Sequence, residues 1–450
     1  MKKYEKIASI IEKQILNHEY EQGDRLPSIL SLVEEYHCSK STIIKCYESL
    51  IQKHLIYVKK QSGYYVADGL LKLENDEADY SLETGNPIVS KTSLIDAKHC
   101  MSIAIDQYSQ SSLNIALEGV QSLREILPSF LEKFAIYTKK EYVYLTQGVT
   151  QMLSFLSMSE FPNHHRIILI EEPTYSYYIQ FLKSQNIPVK TIRRDENGID
   201  LHELEDIFKN YDIKFFYVVP RNHNPLGTTL SHHIRQKIAE LAVQYNVYIV
   251  EDDYFGHCSY TPRYLPIYYY MNGQNCIYLT SFSKTIPYIR IGICVIHPDF
   301  QETLKDIIHQ SYYYSYQLPS LISQATFEAY IRSSLYDKQS EQLKNMLRQN
   351  VKIINQHQQL WDHHIAYIIG GQSGYYFTII MNSCIQLDVL QKELLKFHIK
   401  IQRNERSFYK PTHFYHSIRL SLARIQPKAL DYALTVIYQI FCDEYLKVRK

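Results

Sequence analysis

The run Tyr278-Leu279-Thr280-Ser281-Phe282-Ser283-Lys284-Thr285-Ile286-Pro287-Tyr288-Ile289-Arg290-Ile291-Gly292 constrains this chain more than any other stretch. It reads as a short strand that turns through Ser281 and Ser283 into Lys284, with Arg290 six residues further on. Lys284 would then stand at the end of a rigid element, between hydroxyls and a cation. A lysine that forms a Schiff base needs that fixed position, and an anionic group held beside it needs the hydroxyls and the arginine. Taken alone, the segment also reads as a solvated lysine after a strand, so its neighbours in the chain decide.

A chain of 450 residues holds two or three domains and a large core. With 48 Lys and Arg against 47 Asp and Glu, it has no global affinity for polyanions, and any nucleic-acid surface must be local. The eight cysteines show neither C-x-x-C pairs nor zinc-like spacing, which fits reduced thiols of a cytosolic protein and leaves no metal site to expect. No apolar run approaches the roughly 18 residues of a membrane span, so a soluble, cytoplasmic protein is expected. The 41 tyrosines suit strands and half-buried surfaces and read as a bias of composition.

Residues 1–67 follow a logic of their own. Ile7, Ile10, Ile11, Ile15 and Leu16 recur at helical spacing, giving a first helix that ends near Asn17-His18. Gly23-Asp24-Arg25-Leu26-Pro27-Ser28 is a turn in which Ser28 can cap a helix over 29–36. Ser39 can cap the next helix, whose Ile43, Ile44, Tyr47, Leu50 and Ile51 form an apolar stripe. Strands over 55–58 and 64–66, around Lys59-Lys60-Gln61-Ser62-Gly63, then complete a helix-turn-helix followed by a wing. Between Ser39 and Lys60, five lysines (Lys40, Lys45, Lys53, Lys59, Lys60) stand against the single acid Glu48. That is either a solvated helix face or a surface for phosphates.

The order G-D-R-L-P-S, then Ser39-Lys40-Ser41-Thr42, then a wing glycine resembles the GntR-type winged helix-turn-helix over nearly its whole length. The resemblance implies a double-stranded DNA operator contacted by Arg25, Ser28, Lys40, Ser41, Thr42, Lys45 and Gly63. One departure is Leu30, where the family usually has an arginine two residues after the serine of L-P-S. A phosphate contact is expected to be missing there, and affinity to lean on Lys40 and the wing.

Residues 68–79 include Leu73-Glu74-Asn75-Asp76-Glu77-Ala78-Asp79, an acidic stretch without periodicity that reads as a linker. From residue 80 to 450, strands and helices alternate, the pattern of an α/β domain. Four strands deliver polar residues at their ends. Tyr144-Leu145-Thr146-Gln147-Gly148-Val149-Thr150-Gln151 passes from a strand through a glycine into a helix, whose free first-turn amides attract phosphate. The strand over 167–170 leads to Glu172-Pro173-Thr174-Tyr175, and that over 215–219 to Pro220-Arg221-Asn222-His223-Asn224-Pro225-Leu226-Gly227. The strand over 247–250 leads to Glu251-Asp252-Asp253-Tyr254, acids that would otherwise read as helix caps. Near the C-terminus comes Ile418-Arg419-Leu420-Ser421-Leu422-Ala423. His223, His413 and His416 show no metal-like spacing.

Together with the Lys284 segment, these motifs stand in the order found in the class I aminotransferases, which use pyridoxal 5′-phosphate (PLP), and the resemblance implies a fold type I domain with a mostly parallel sheet and large and small subdomains. It assigns a Schiff base with PLP to Lys284, and a phosphate cup to Val149, Thr150, Ser281, Ser283 and Arg290. Tyr175 would stack on the pyridine ring, with core packing the alternative, and Asn224 and Tyr254 would bond the phenolic oxygen. A carboxylate would keep the pyridine nitrogen protonated, making the ring an electron sink; that is Asp252, with Asp253 the alternative. Arg419 would grip a ligand carboxylate through its bidentate fork, beside Gly85 of a G-x-P motif. In three places the chain departs from the pattern: Ile88 replaces an acid, Asn114 stands where a tyrosine reaches the partner subunit's phosphate, and Pro287 falls one place early.

A GntR-type reader ahead of such a domain resembles the MocR branch of bacterial regulators. The resemblance implies head-to-tail homodimers and a transcription regulator whose effector, an amino-group ligand or PLP itself, is sensed through the Lys284 aldimine. Fold alone does not decide between that and an active aminotransferase moving an amino group from an amino acid to a 2-oxo acid. A third reading, a repressor whose large domain only dimerises, would need no cofactor.

Overall fold

The computed structural model describes residues 3–16, 19–21, 23–53, 55–59, 62–67, 80–85, 91–108, 117–258, 264–286, 288–315, 319–371 and 375–449. By contacts the chain divides into two units, Met1–Ala78 and Asp79–Lys450. The expected linker, and with it Asn86 to Ile88, Asn114 and Pro287, falls outside the described residues.

In the first unit α1 is Lys3–Leu16, α2 Ile29–Glu35, α3 Lys40–Gln52, β1 Ile56–Lys59 and β2 Gly63–Val66. Each serine expected as a cap accepts the amide of the third residue onward: Ser28 from Ser31 at 3.1 Å, Ser39 from Thr42 at 3.3 Å. Such acceptors satisfy an amide that the helix ladder leaves open. Ile7, Ile11 and Ile15, four residues apart, are buried against Ile43, Tyr47 and Leu50 of α3, whereas Ile10 is 43% exposed. At about 100° per residue, position 10 falls to the flank of the stripe that 7, 11 and 15 define. β1 and β2 pair antiparallel, with Lys59 opposite Gly63. The turn before α2 adds a third edge: Leu26 donates to the Tyr64 carbonyl at 2.9 Å and Val66 to that of Asp24 at 3.0 Å. The Tyr47 hydroxyl, donating to Pro27 at 2.5 Å, ties α3 to the same turn.

The second unit begins with β3 (Tyr80–Ser81), α4 (Lys91–Tyr108), α5 (Gln121–Glu132), β4 (Val143–Thr146), α6 (Val149–Met158), β5 (Ile167–Glu172), α7 (Ser176–Ser184), β6 (Val189–Arg193) and β7 (Ile213–Val218). It continues through β8 (Tyr248–Asp252), β9 (Cys276–Ser281), β10 (Gly292–Val295), β11 (Ala366–Gly370), β12 (Tyr376–Met381), β13 (Ile399–Lys400), β14 (Gln402–Arg403) and β15 (Ser417–Ser421). A seven-stranded sheet runs β4-β10-β9-β8-β7-β5-β6. Strands β9, β8, β7, β5 and β6 are mutually parallel, and β10 is antiparallel to both its neighbours. Parallel strands covered on both faces read as continuous apolar runs. Accordingly Phe215 and Tyr217 pack into one layer while Phe216 and Val218 pack into the other. A second, antiparallel sheet, β11-β12-β15-β14, shares a separate core with helices Leu335–Leu360 and Pro427–Arg449. The short β13 pairs in parallel with β3.

Fully buried ions brace the loop that follows β7. Arg194 donates to Glu171 at 2.8 Å and to Thr228 at 3.1 Å, and Glu171 also accepts the Val219 amide at 2.7 Å, with His223 at 3.4 Å. His223 is thus a core residue, while the side chain of His413 is 49% exposed. Among the described residues no group of His, Cys, Asp and Glu could hold a metal ion, and no helix is long and apolar enough to cross a membrane. All eight cysteines are unpaired. Removing one side of a buried ion pair strands the other, so Glu171→Ala is expected to lower the unfolding free energy by about 3–5 kcal/mol, measured by urea denaturation.

Candidate functional site

The parallel strands end on one edge, and their trailing residues build the site. Open α/β sheets bind ligands at this carboxyl edge. β9 ends in buried Ser281, whose hydroxyl lies 3.3 Å from that of Ser283. Lys284 follows in the turn. Burial first, then the positive charges of Arg419 and Arg290, push its amine down to about 8. Gly85 leaves room for it: a Cβ there would sit 1.8 Å from the Tyr376 hydroxyl and 3.2 Å from Lys284 Nζ. The Tyr375 hydroxyl donates to the Gly85 carbonyl.

The two acids after β8 have different surroundings. Arg221 grips Asp253 through both carboxylate oxygens, at 2.6 and 2.5 Å, and Tyr278 adds a hydrogen bond at 2.8 Å. Asp252 accepts the Tyr217 hydroxyl on Oδ2 at 2.8 Å, while its buried Oδ1 has no partner. Burial raises the Asp252 carboxyl to about 7 against the opposing pull of Tyr217. Asp252 therefore has an oxygen to offer, and Asp253 is already engaged. The Tyr254 hydroxyl donates to the Asn222 carbonyl at 2.6 Å. Burial holds that phenol protonated, so towards a phenolic oxygen it could only accept.

Tyr175 precedes α7, half-buried, with its hydroxyl bonded to the side chain of Thr150, and Asp252 and Arg290 act on it electrostatically. Thr150 and Val149 occupy the first turn of α6, where amides are not used by the helix ladder. Gly148 before them takes φ +126°, and a Cβ there would meet nothing within 4 Å, so the helix start opens onto free space. Arg290 is exposed. On β15, Arg419 donates to Asn224 Oδ1 at 3.0 Å and to the Glu83 carbonyl, and its guanidinium lies 4.6 Å over the Tyr376 ring. The structure thus gathers Lys284, Gly85, Arg419 and Asn224 around Tyr376.

In the first unit, Lys40, Ser41 and Lys45 are exposed along the start of α3 and Thr42 is half-buried. The Ser39 hydroxyl lies 2.9 Å from that of Ser41 and 2.8 Å from that of Thr42. Arg25 is exposed, with its guanidinium against Gly63, where a Cβ would come within 3.2 Å of Nε and φ is +131°. The Ser28 hydroxyl serves as the α2 cap. Two of the five lysines are engaged within the unit: Lys53 pairs with Glu12 at 2.5 Å, and Lys59 lies 4.6 Å over the Tyr65 ring. Lys60 is outside the described residues. Leu30 is 66% exposed.

Residues 79–437 match the model of the family "Aminotransferase class I and II". The chain belongs to that family. Residues 3–66 match a second, "Bacterial regulatory proteins, gntR family", and the two together make the domain composition of MocR-type regulators. The uncharacterized HTH-type transcriptional regulator YcxD of Bacillus subtilis (strain 168) is 34% identical over 78% of each chain. The HTH-type transcriptional regulator NorG of Staphylococcus aureus (strain USA300) is 27% identical over 92% of this chain and 98% of its own. Among solved structures, the α-aminoadipate aminotransferase LysN of Thermus thermophilus superposes with a TM-score of 0.71 at 18% identity, covering 82% of this chain and 94% of that one. A multiple substrate aminotransferase from Thermococcus profundus gives 0.72 at 19%, covering 83% and 93%. The fold is therefore fold type I.

The cofactor of this aminotransferase-like domain is PLP, and the residues present fit it. The orphaned Oδ1 of Asp252 suits a protonated ring nitrogen, the open helix start at Gly148 suits a phosphate, and Lys284 offers an amine of low basicity. Sequence reasoning missed Tyr217, Tyr375 and Tyr376. Tyr217 was hidden in a strand that reads as core, and the only signal for the other two was Gly374-Tyr375-Tyr376 opening a strand. Because only the neutral amine is nucleophilic, PLP uptake is expected to speed up with pH and level off above about 8, as followed by visible absorbance. A midpoint near the ordinary lysine value of about 10.4 would contradict the burial argument, and Lys284→Ala should show no such band.

Proposed function

We propose that this chain is a DNA-binding transcription regulator, a cytoplasmic head-to-tail homodimer, whose PLP site senses an amino-group ligand or PLP itself. The observation that carries the reading is the pairing of Arg419 with the Glu83 carbonyl. A guanidinium that already holds a carbonyl is ready to exchange it for the stronger, charged acceptor of a ligand carboxylate. Residues 80–85 are pinned to the second unit by Tyr80 donating to His398 at 2.9 Å, Leu82 to Lys400 at 2.9 Å and Ser421 to Leu82 at 2.8 Å. Upstream of Tyr80, the chain leads to the winged helix.

Bound PLP supplies an electrophilic carbon for a ligand's amino group and a ring that withdraws electron density. Lys284 anchors it, Asp252 answers the ring nitrogen, Asn224 the phenolic oxygen, and Val149, Thr150, Ser281, Ser283 and Arg290 the phosphate, with Tyr175 against the ring. Arg419 and Gly85 receive the ligand. When its carboxylate takes Arg419, the Glu83 carbonyl is released and the stretch leading to the DNA-binding unit loosens. The bias on DNA binding can be no larger than the ligand's difference in affinity between the two states. On the DNA side, Arg25, Ser28, Lys40, Ser41, Thr42, Lys45 and Gly63 form the contact surface. The names of YcxD and NorG, both HTH-type transcriptional regulators, support the reading of a DNA-binding regulator.

The amine of Lys284, titrating near 8, favours one second reading, an aminotransferase in which that amine is the general base. Sustained keto-acid production with a second keto acid as acceptor would establish it. For the regulator, a gel shift on the upstream intergenic DNA should respond to PLP or to one amino acid, and no specific binding under any condition would overturn it. Lys40→Ala should weaken binding across all sequences and reduce the log–log salt slope by about 1. Arg419→Ala should abolish the response to a carboxylate-bearing ligand while PLP stays bound. In the unmutated protein that ligand should speed hydrogen exchange at the Tyr80 and Leu82 amides.

A further inference from the structure

The Tyr217–Asp252 contact has no place in the ligand chemistry described so far, yet it holds a carboxylate that keeps a buried oxygen without a hydrogen-bond partner. Tyr217 lies on β7 opposite Val250 of β8, and Asp252, two residues on, shares that face of the sheet. The Tyr217 ring is fully buried and packs edge-on against Tyr178, 4.7 Å between centroids, whose hydroxyl is 2.8 Å from that of Ser157. Ile168, Ile170, Val250 and Leu279 belong to the same layer. In that setting the phenol has little freedom to turn, and its hydroxyl donates to Asp252 Oδ2 at 2.8 Å.

We propose that Tyr217 is a positioning residue: its hydroxyl holds Asp252 as an oriented carboxylate, and through Asp252 sets how firmly the pyridine nitrogen of PLP keeps its proton. The inference rests on the PLP site described above. Two groups favour the charged form of Asp252, first the Tyr217 hydroxyl and then, more weakly, the backbone amide of Tyr254. Burial favours the neutral acid, as do the charges of Asp253 beside it and Glu171 on β5. Those two acids are themselves paired, Asp253 with Arg221 and Glu171 with Arg194. The phenols of Tyr175 and Tyr254 face the same carboxylate, but their hydroxyls are engaged with Thr150 and Asn222. Among the described residues Tyr217 is thus the side chain that donates a hydrogen bond to Asp252. Hydrogen bonding to the charged form is what keeps a buried carboxylate ionised.

The test uses the full-length protein with PLP, reading the pH titration of its visible band and its PLP dissociation constant. Tyr217→Phe preserves the ring and removes only the hydroxyl. The midpoint should rise by about one pH unit, because a ring nitrogen that keeps its proton less firmly withdraws less electron density. PLP affinity should fall about tenfold, the scale of a hydrogen bond to a charged group. In an Asp252→Asn background the same change should move neither quantity, and Tyr178→Phe, which alters packing polarity nearby, should leave both at their original values. An unmoved midpoint in Tyr217→Phe, or an equal shift in the Asp252→Asn background, overturns the proposal and makes Tyr217 a packing residue. Failure of the unmutated protein to take up PLP overturns the cofactor reading and this inference with it.

Discussion

Glu171, Glu251, Asp252 and Asp253 are four of the carboxylates buried at the carboxyl edge of the parallel strands. A buried charge must be paired or hydrogen-bonded, or it gives up its ionisation. Glu171 has Arg194, and Asp253 has Arg221 and Tyr278. Glu251 takes the amides of Ile267 and Tyr268 at 3.0 and 2.8 Å, and burial still raises it to about 8. Of the four, Asp252 alone keeps a buried oxygen without a protein partner. The other three are engaged in holding the strand ends and loops in place, which is what leaves Asp252 as the acid that can serve a ligand.

The same constraint shapes the loop after β7. The Glu171–Arg194 pair sits beneath it, and Gly227 lets it press on β12, where a Cβ would lie 1.9 Å from the Tyr376 carbonyl. That contact sets Asn224 against Arg419 of the second sheet, so the two sheets meet at the site through a glycine and an amide–guanidinium bond. The small-sheet loop returns to β5 as well: Glu172 accepts the Lys410 amide at 2.7 Å and pairs with His413 at 2.5 Å. The loops around the site are therefore linked to both sheets by short, direct contacts.

In the winged unit the sequence places positive charge on α3 and the wing, and the structure sorts it. Lys53 and Lys59 are held by Glu12 and by tyrosine rings, while Lys40 and Lys45 remain exposed at the start of α3. Leu30 presents an apolar side chain to solvent where a basic one was expected from the family pattern. Exposed positive charge in this unit thus includes Lys40 and Lys45 on α3 and Arg25, whose guanidinium lies against Gly63.

Local chemistry determined much of this protein by itself. Serine caps, helical apolar spacing and strand-then-polar junctions made the winged helix and the alternating α/β domain legible, because each depends on residues near one another in the chain, while the roles expected of Lys284 and Arg419 came from the resemblance that the order of motifs carries. The boundaries moved by a residue or so where a cap or ladder shares a hydrogen bond, as at Glu35 and Ile56. Only the tertiary structure shows Arg221 gripping Asp253, the Tyr217 hydroxyl on Asp252, the Tyr254 hydroxyl on Asn222, and Tyr376 beside Gly85 and Arg419. Those outcomes depend on which distant group reaches a buried polar atom first. With 41 tyrosines in the chain, no local pattern marks the few whose hydroxyls meet a carboxylate, because that meeting is made by neighbouring strands far apart in sequence.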